Sequence, residues 1–122
     1  ETLRAAFRQR FALKNLGVLI TDSRLLPLRA GVLGIALGYA GFKGVRDYRG
    51  TPDLFGRELK LSRTDIADSL ATAAVLEMGE GREQQPLAII ENAPVEFVDK
   101  VDRTELHIDI EDDVYRPLFD KL

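Results

Sequence analysis

The stretch SRTDIADSLATAAVLEMG, residues 62–79, decides how this chain reads. Ser62 with Asp65 three residues on is a capping-box signature. It opens a run in which Ile66, Ala67, Leu70, Ala71, Ala74, Val75 and Met78 recur at helical spacing. Asp65, Asp68, Ser69 and Thr72 fall elsewhere, and Gly79 is a natural residue to end the helix. The spacing predicts an amphipathic helix whose wide apolar face must be covered by other elements.

Upstream, residues 31–44 read GVLGIALGYAGFKG, five glycines set irregularly among aliphatic residues. Such a segment is extended, and its glycines mark bulges or close backbone approach. Residues 16–20 form a short apolar run that reads as a buried strand ending at Thr21-Asp22-Ser23. Before it, Leu3, Phe7 and Phe11 recur every four residues with Ala6 beside them, opposite Arg4, Arg8, Gln9 and Arg10. This predicts a first helix packed on the core, closed by Lys14-Asn15. Downstream of Gly79, residues 86–90 and 105–110 read as strands, and Val114, Leu118 and Phe119 predict a short closing helix within residues 111–122. Helices and strands interleave without regular βαβ spacing. The expectation is an α+β fold, a mixed sheet with two main helices in one compact domain.

Composition agrees. The 122 residues are 45% hydrophobic and 30% charged, with a mean hydropathy of −0.11, which suits a single soluble domain. Seventeen basic and twenty acidic residues are interspersed, giving a net charge of −3, so a nucleic-acid or anionic-membrane surface is disfavoured. No cysteine is present, which excludes disulfides, thiolate metal sites and a cysteine nucleophile. The single histidine, His107, makes a zinc site or a Ser-His-Asp triad untenable. The opening Glu1-Thr2-Leu3-Arg4 runs straight into helical periodicity, as expected of a part of a longer protein.

Three places could carry chemistry. Asp22 and Ser23, at the end of the first strand, offer two hard oxygen ligands of the kind magnesium or manganese prefers, or else Asp22 caps a turn. The loop from Asp47 to Glu58 holds the carboxylates of Asp47, Asp53 and Glu58 and the guanidinium groups of Arg49 and Arg57. It could bind anionic substrate or form a self-neutralising surface turn. Arg29, after Pro27, is a further lone cation. The run Gly79-Glu80-Gly81-Arg82-Glu83-Gln84-Gln85 could cradle phosphate oxygens with its backbone, although it is no Walker loop and Gly79 also suits a simple helix end.

Taken in order, VLITDS, PLRAGVLGIALG, DYRGTPDLFGREL, IADSLATAAVLEMGEG and PLAII, spread over residues 18–90, make a more specific set than any one of them. Together they resemble the later part of the coenzyme F-420 gamma-glutamyl ligase family, and the GEG loop and acidic tail look closest to a bacterial branch described as folate-metabolism gamma-glutamate ligases. The resemblance implies a cytoplasmic, homodimeric enzyme dependent on GTP and a divalent metal. It would activate an acceptor carboxylate as an acyl phosphate, which the amine of L-glutamate displaces to form an amide. In that family an I-S-D-T motif supplies an aspartate and a hydroxyl to the metal, and these fall on Asp22 and Ser23. The family's nucleotide loop falls on Gly79, Glu80, Gly81, Arg82, Glu83, Gln84 and Gln85. Arg29, Asp47, Arg49, Asp53, Arg57 and Glu58 stand as weaker substrate-binding candidates.

The chain departs from the family after Ser23, where phenylalanine-glycine-arginine-proline is replaced by Arg24, Leu25, Leu26 and Pro27. The family's D-x-S-N segment precedes the region covered. Residues 1–122 are thus expected to be the C-terminal part of a larger ligase, inactive alone. The alternative from another class is a non-catalytic dimerisation or ligand-binding domain of ligase ancestry.

Overall fold

The computed structural model describes residues 1–119. Helix α1 (Thr2–Phe11) leads into strand β1 (Val18–Leu25), which pairs antiparallel with β2 (Val32–Ala40). Short strands β3 (Val45–Asp47) and β4 (Arg63–Asp65) form a second antiparallel pair, and α2 (Ile66–Met78) follows directly. A 3-10 turn at Ile110–Asp112 and the short helix α3 (Arg116–Phe119) end the described chain. The α+β expectation holds, with the β part built as two two-stranded antiparallel ladders.

The alanines of α2 let it lie against β2 at backbone distance. Gly34 is buried in β2, and a Cβ there would overlap the Ala71 carbonyl group. Two side chains one helical turn apart then bond the β2 backbone: Asp68 accepts the Ala36 N–H at 2.8 Å, and Thr72 donates to the Gly34 carbonyl at 3.0 Å. They take the place of a third strand and cover an edge that would otherwise be open to pairing. Ala67 and Ala71 are fully buried as a result.

The core sits where β2 turns out of its ladder. Phe42, Ile66 and Ala67 are buried together, flanked by Leu19, Ala36, Tyr39, Leu70 and Val95, with the Tyr39 and Phe42 rings 5.2 Å apart. Residues 94–105 cross this corner as a strap. Phe97 bridges Phe42, Lys43 N–H donates to the Glu96 carbonyl at 2.9 Å, and Val98 N–H donates to the Gly41 carbonyl at 3.1 Å. Glu105 accepts from the Tyr39 hydroxyl at 2.5 Å and from Gly44 N–H at 2.6 Å. Gly44 in turn receives the Ile66 and Ala67 N–H groups on its carbonyl, so strap and helix start share one residue. Burial and the Glu105 carboxylate both push the Tyr39 phenol upward.

Five sequence expectations are corrected here. Helix α1 does not bury its apolar face: Leu3, Phe7 and Phe11 are exposed, while Arg4, 5% exposed, is the anchor, bonding the Leu16 carbonyl at 2.9 Å and lying 3.5 Å from Asp99. The first strand does not stop at Thr21-Asp22-Ser23, because pairing with β2 carries it to Leu25 across a bulge at Ile20/Thr21. The cap of α2 is Asp65, which accepts the Asp68 N–H at 2.9 Å, and not Ser62, because residues 63–65 are drawn into pairing with β3. Residues 86–90 find no pairing partner among the described residues and leave Leu87 and Ile89 exposed. Residues 105–110 likewise form turns and no strand. The closing helix is borne out at Arg116–Phe119, and the rest of that expectation, residues 120–122, lies outside the described residues.

Replacing Gly34 with alanine should destabilise the fold by about 1–3 kcal/mol through backbone overlap, whereas alanine at Gly38, which has nothing within 4 Å of its Cβ position, should change little. Urea unfolding of both variants measures the contrast. Glu105→Ala leaves the Tyr39 hydroxyl and Gly44 N–H without their shared acceptor, an expected loss of about 1–3 kcal/mol readable in the same assay.

Candidate functional site

Asp22 and Ser23 lie within β1, opposite Ile35 and Gly34. Neighbouring strand residues point to opposite faces, but the Asp22 carboxylate turns back and accepts the Ser23 N–H on Oδ1 at 2.8 Å. The Ser23 hydroxyl donates to Glu80 Oε1, joining positions 57 residues apart in the chain. Glu80 arrives there because α2 ends at Gly79, whose φ of 76° turns the backbone out of the helix. The placement follows from the fold: Asp68, Ala71 and Thr72 lock α2 along β2, and the far end of the helix then meets β1 at Ser23.

Two carboxylates and a hydroxyl are thereby linked through Ser23 at an exposed edge. These are hard, acceptor-rich oxygens, the donor class that magnesium and manganese take. Among the described residues no three His, Cys, Asp or Glu side chains gather as a metal-binding group, so this edge offers an ion two carboxylates and a hydroxyl and no more. Spacing alone placed Glu80 with the nucleotide loop. Its contact with Ser23 was unreadable because no local pattern encodes which strand a helix end will reach.

The rest of the loop folds on itself. Glu83 Oε2 accepts Gly81 N–H at 2.8 Å, and Gln84 takes a positive φ of 56°. The side chains of Arg82, Gln84 and Gln85 are exposed and make no hydrogen bond to a described residue.

Residues 47–58 form a hairpin arm. Gly50 N–H donates to the Leu59 carbonyl, Leu59 N–H to the Thr51 carbonyl and Asp53 N–H to the Arg57 carbonyl. At its tip Asp53 accepts from the Phe55 and Arg57 N–H groups, both at 2.8 Å, and Pro52 bridges Glu58. Asp47 and Arg49 face each other in a doubled pair, with Arg49 Nη2 2.5 Å and Nε 2.9 Å from the carboxylate oxygens. Most of the arm's charge is therefore satisfied internally. Among the described residues, no hydrogen bond or ion pair ties Asp47, Arg49, Asp53, Arg57, Glu58 or Arg29 to Asp22, Ser23 or Glu80. His107 faces Asp109 at 3.8 Å on the exposed tail.

A profile of the family described as F420-0:gamma-glutamyl ligase matches residues 1–92. The coenzyme F420:L-glutamate ligase of Methanococcus maripaludis strain C7 is 48% identical over 103 residues, covering 84% of this chain and 41% of that protein. The enzyme of the same name from Methanocaldococcus jannaschii is 45% identical over the same shares, and that of Haloarcula marismortui is 37% identical over 95% of this chain and 44% of its own length. The chain spans less than half the length of these relatives. Profile and relatives together cover Asp22, Ser23 and the α2 loop, while the strap lies beyond the profile's match.

The Arg49 side chain, and then its backbone N–H, hold the Asp47 carboxyl down at about 2. An acid whose value is lowered by folding adds stability above its unfolded value and loses it as pH falls, here between about 3.8 and 2. Arg49→Ala should return Asp47 toward its ordinary value, as measured by carboxyl carbon NMR titration. The Ser23–Glu80 contact should be untouched.

Proposed function

The chain belongs to the F420-0:gamma-glutamyl ligase family, and from that premise we propose that it is part of a GTP- and divalent-metal-dependent ligase. In this reading L-glutamate is added to an acceptor carboxylate through an acyl phosphate, forming a gamma-glutamyl amide. The observation that carries it is the Ser23–Glu80 hydrogen bond beside Asp22. It gathers oxygen donors from a strand and from a helix-following loop at the two positions where the family resemblance puts metal and nucleotide.

Asp22, Ser23 and Glu80 would hold the magnesium or manganese ion, which supplies charge neutralisation among phosphate and carboxylate groups and polarises the phosphoryl oxygens. Ser23 must release Glu80 or share its oxygen to serve in this way, and Glu80, which is exposed while Ser23 is half-buried, is the partner free to swing away. Gly79, Gly81, Arg82, Glu83, Gln84 and Gln85 would form the nucleotide side; the Gly79 and Gly81 N–H groups, bonded here to the Val75 carbonyl and the Glu83 carboxylate, would have to exchange these partners for phosphate oxygens. Arg29, Arg49, Arg57, Asp47, Asp53 and Glu58 would be the candidates for contact with the acceptor, although none of them bonds to Asp22, Ser23 or Glu80 among the described residues.

A homodimer is the second reading, and it is compatible with the first. The chain exposes 10320 Å², against about 6,600 Å² for a compact monomer of its 13.6 kDa. Leu3, Phe7 and Phe11 on α1 are among the exposed apolar groups. So large an uncovered surface favours burial against further protein.

In the full-length protein containing this chain, Asp22→Ala and Glu80→Ala should each lower glutamate-dependent phosphate release from GTP by about 100-fold or more, since several kcal/mol of charge stabilisation is withdrawn. Thermal midpoints should stay within a few degrees. Undiminished release in either variant would falsify the metal role of that residue.

A further inference from the structure

A cleft of about 200 Å³ opens between the end of the β1–β2 ladder and the first turns of α2. Leu26 and Leu33 form its apolar wall; Asp68, Ser69 and Thr72 form its polar side; Arg24 stands on the strand side. It borders the metal candidates directly, because Arg24 follows Ser23 in β1 and the lining residues Gly34 and Ile35 are the register partners of Ser23 and Asp22.

Size restricts the occupant first. Pockets for drug-sized ligands run from about 300 to 1,000 Å³, and this open cleft, at about 200 Å³, is smaller. It suits a small ligand of amino-acid size.

Charge restricts it next. Arg24 forms no ion pair or hydrogen bond with any described residue, so its planar fork is available to a carboxylate. Asp68 accepts the Ala36 N–H on Oδ1, and its carboxylate lies beside that of Asp65, which adds to the negative charge offered to a cation. The Thr72 hydroxyl hydrogen goes to the Gly34 carbonyl, which leaves its lone pairs as acceptors. One cation and one anion across a short apolar wall complement a zwitterion: a carboxylate on Arg24, an ammonium on Asp68 and Thr72, and methylene groups on Leu26 and Leu33. A singly charged acid would leave Asp68 unanswered, and an amine alone would leave Arg24 unanswered.

We propose that this cleft is the amino-acid subsite, taking a small α-amino dicarboxylate with Arg24 as its carboxylate fork and Asp68 as its ammonium partner. The proposal rests on the ligase reading only for the identity of the amino acid as L-glutamate. The subsite itself stands on the cleft's size and charge.

Titration of the isotope-labelled full-length protein containing this chain with L-glutamate, followed by amide NMR, tests it. Saturable shifts are expected at Gly34, Ile35, Ser69 and Thr72, weakened at least tenfold in affinity by Arg24→Ala, partly restored by Arg24→Lys and unchanged by Arg10→Ala on α1. Glutarate, which lacks the amine, should bind at least tenfold more weakly. Absence of shifts at these amides, or equal affinity in Arg24→Ala, overturns the subsite. Arg24 is exposed and outside the core, so its loss leaves the fold in place, which the unshifted amides of Phe42 and Ala67 will report. In the full-length protein, Arg24→Ala should raise KM for glutamate with KM for GTP unchanged. Glutamate binding here without GTP-dependent ligation overturns the ligase reading and keeps the subsite. Ligation with an unaltered glutamate KM in Arg24→Ala does the reverse.

Discussion

The contact on which the rest of the structure depends is the backbone approach of α2 to β2 at Gly34. With no side chain between them, the helix comes close enough for Asp68 and Thr72 to reach the Ala36 N–H and the Gly34 carbonyl. A two-stranded ladder is marginal alone, and this contact gives it both a covered face and a covered edge. The consequences run in two directions along the helix. At its start, Gly44 and Asp65 satisfy the first N–H groups. At its end, Gly79 releases Glu80 onto Ser23. A helix of 13 residues spans about 20 Å, so one glycine near its middle governs the position of both ends.

The strap provides the second constraint. It brings Glu105 to Gly44 N–H, the same residue whose carbonyl receives the start of α2, and it brings Asp99 to Arg4 and Arg8 of α1. Helix α1 is consequently held by charge and by the Leu16 carbonyl, with its apolar stripe turned outward. Burial disfavours the ionised Asp65 carboxyl, raising it, while its bond from the Asp68 N–H opposes this. A cap under such opposed influences holds because Gly44 shares the task of binding the helix's first amides.

Much of the fold was legible in local pattern. Alanine spacing announced α2, the glycine-rich run announced β2 and its close approach, and Gly79 announced the helix end. The errors share a cause. The periodicity of Leu3, Phe7 and Phe11 is real, but periodicity says only that one face is apolar, and the face that anchors α1 is chosen by Asp99 nearly a hundred residues away. Ser62 carried the capping-box pattern, but pairing with β3 claims residues 63–65 and moves the helix start to Asp65. The strap bonds as irregular backbone, with no period of two to betray it. At the candidate site, Asp22 and Ser23 were visible as residues and Glu80 as part of a loop. Their union was not, since it exists only once Gly34 has fixed the helix.

Electrostatics ties these features to the proposed chemistry. Under the proposed reading, ligation of glutamate by way of a phosphorylated carboxylate would bring two carboxylate-bearing substrates and a nucleotide to an edge that already carries Asp22 and Glu80. At 4 Å, like charges repel by about 1 kcal/mol in water and about 4 kcal/mol at the effective dielectric of a protein surface. Of the hairpin arm's two arginines, Arg49 is committed to Asp47, which leaves Arg57, among the described residues, as the arm's uncommitted guanidinium. Arg24 can answer one carboxylate and no more. In that reading the remaining negative charge would call for a compact, multivalent cation, and the hard oxygens of Asp22, Ser23 and Glu80 would be the donors this edge offers to hold it.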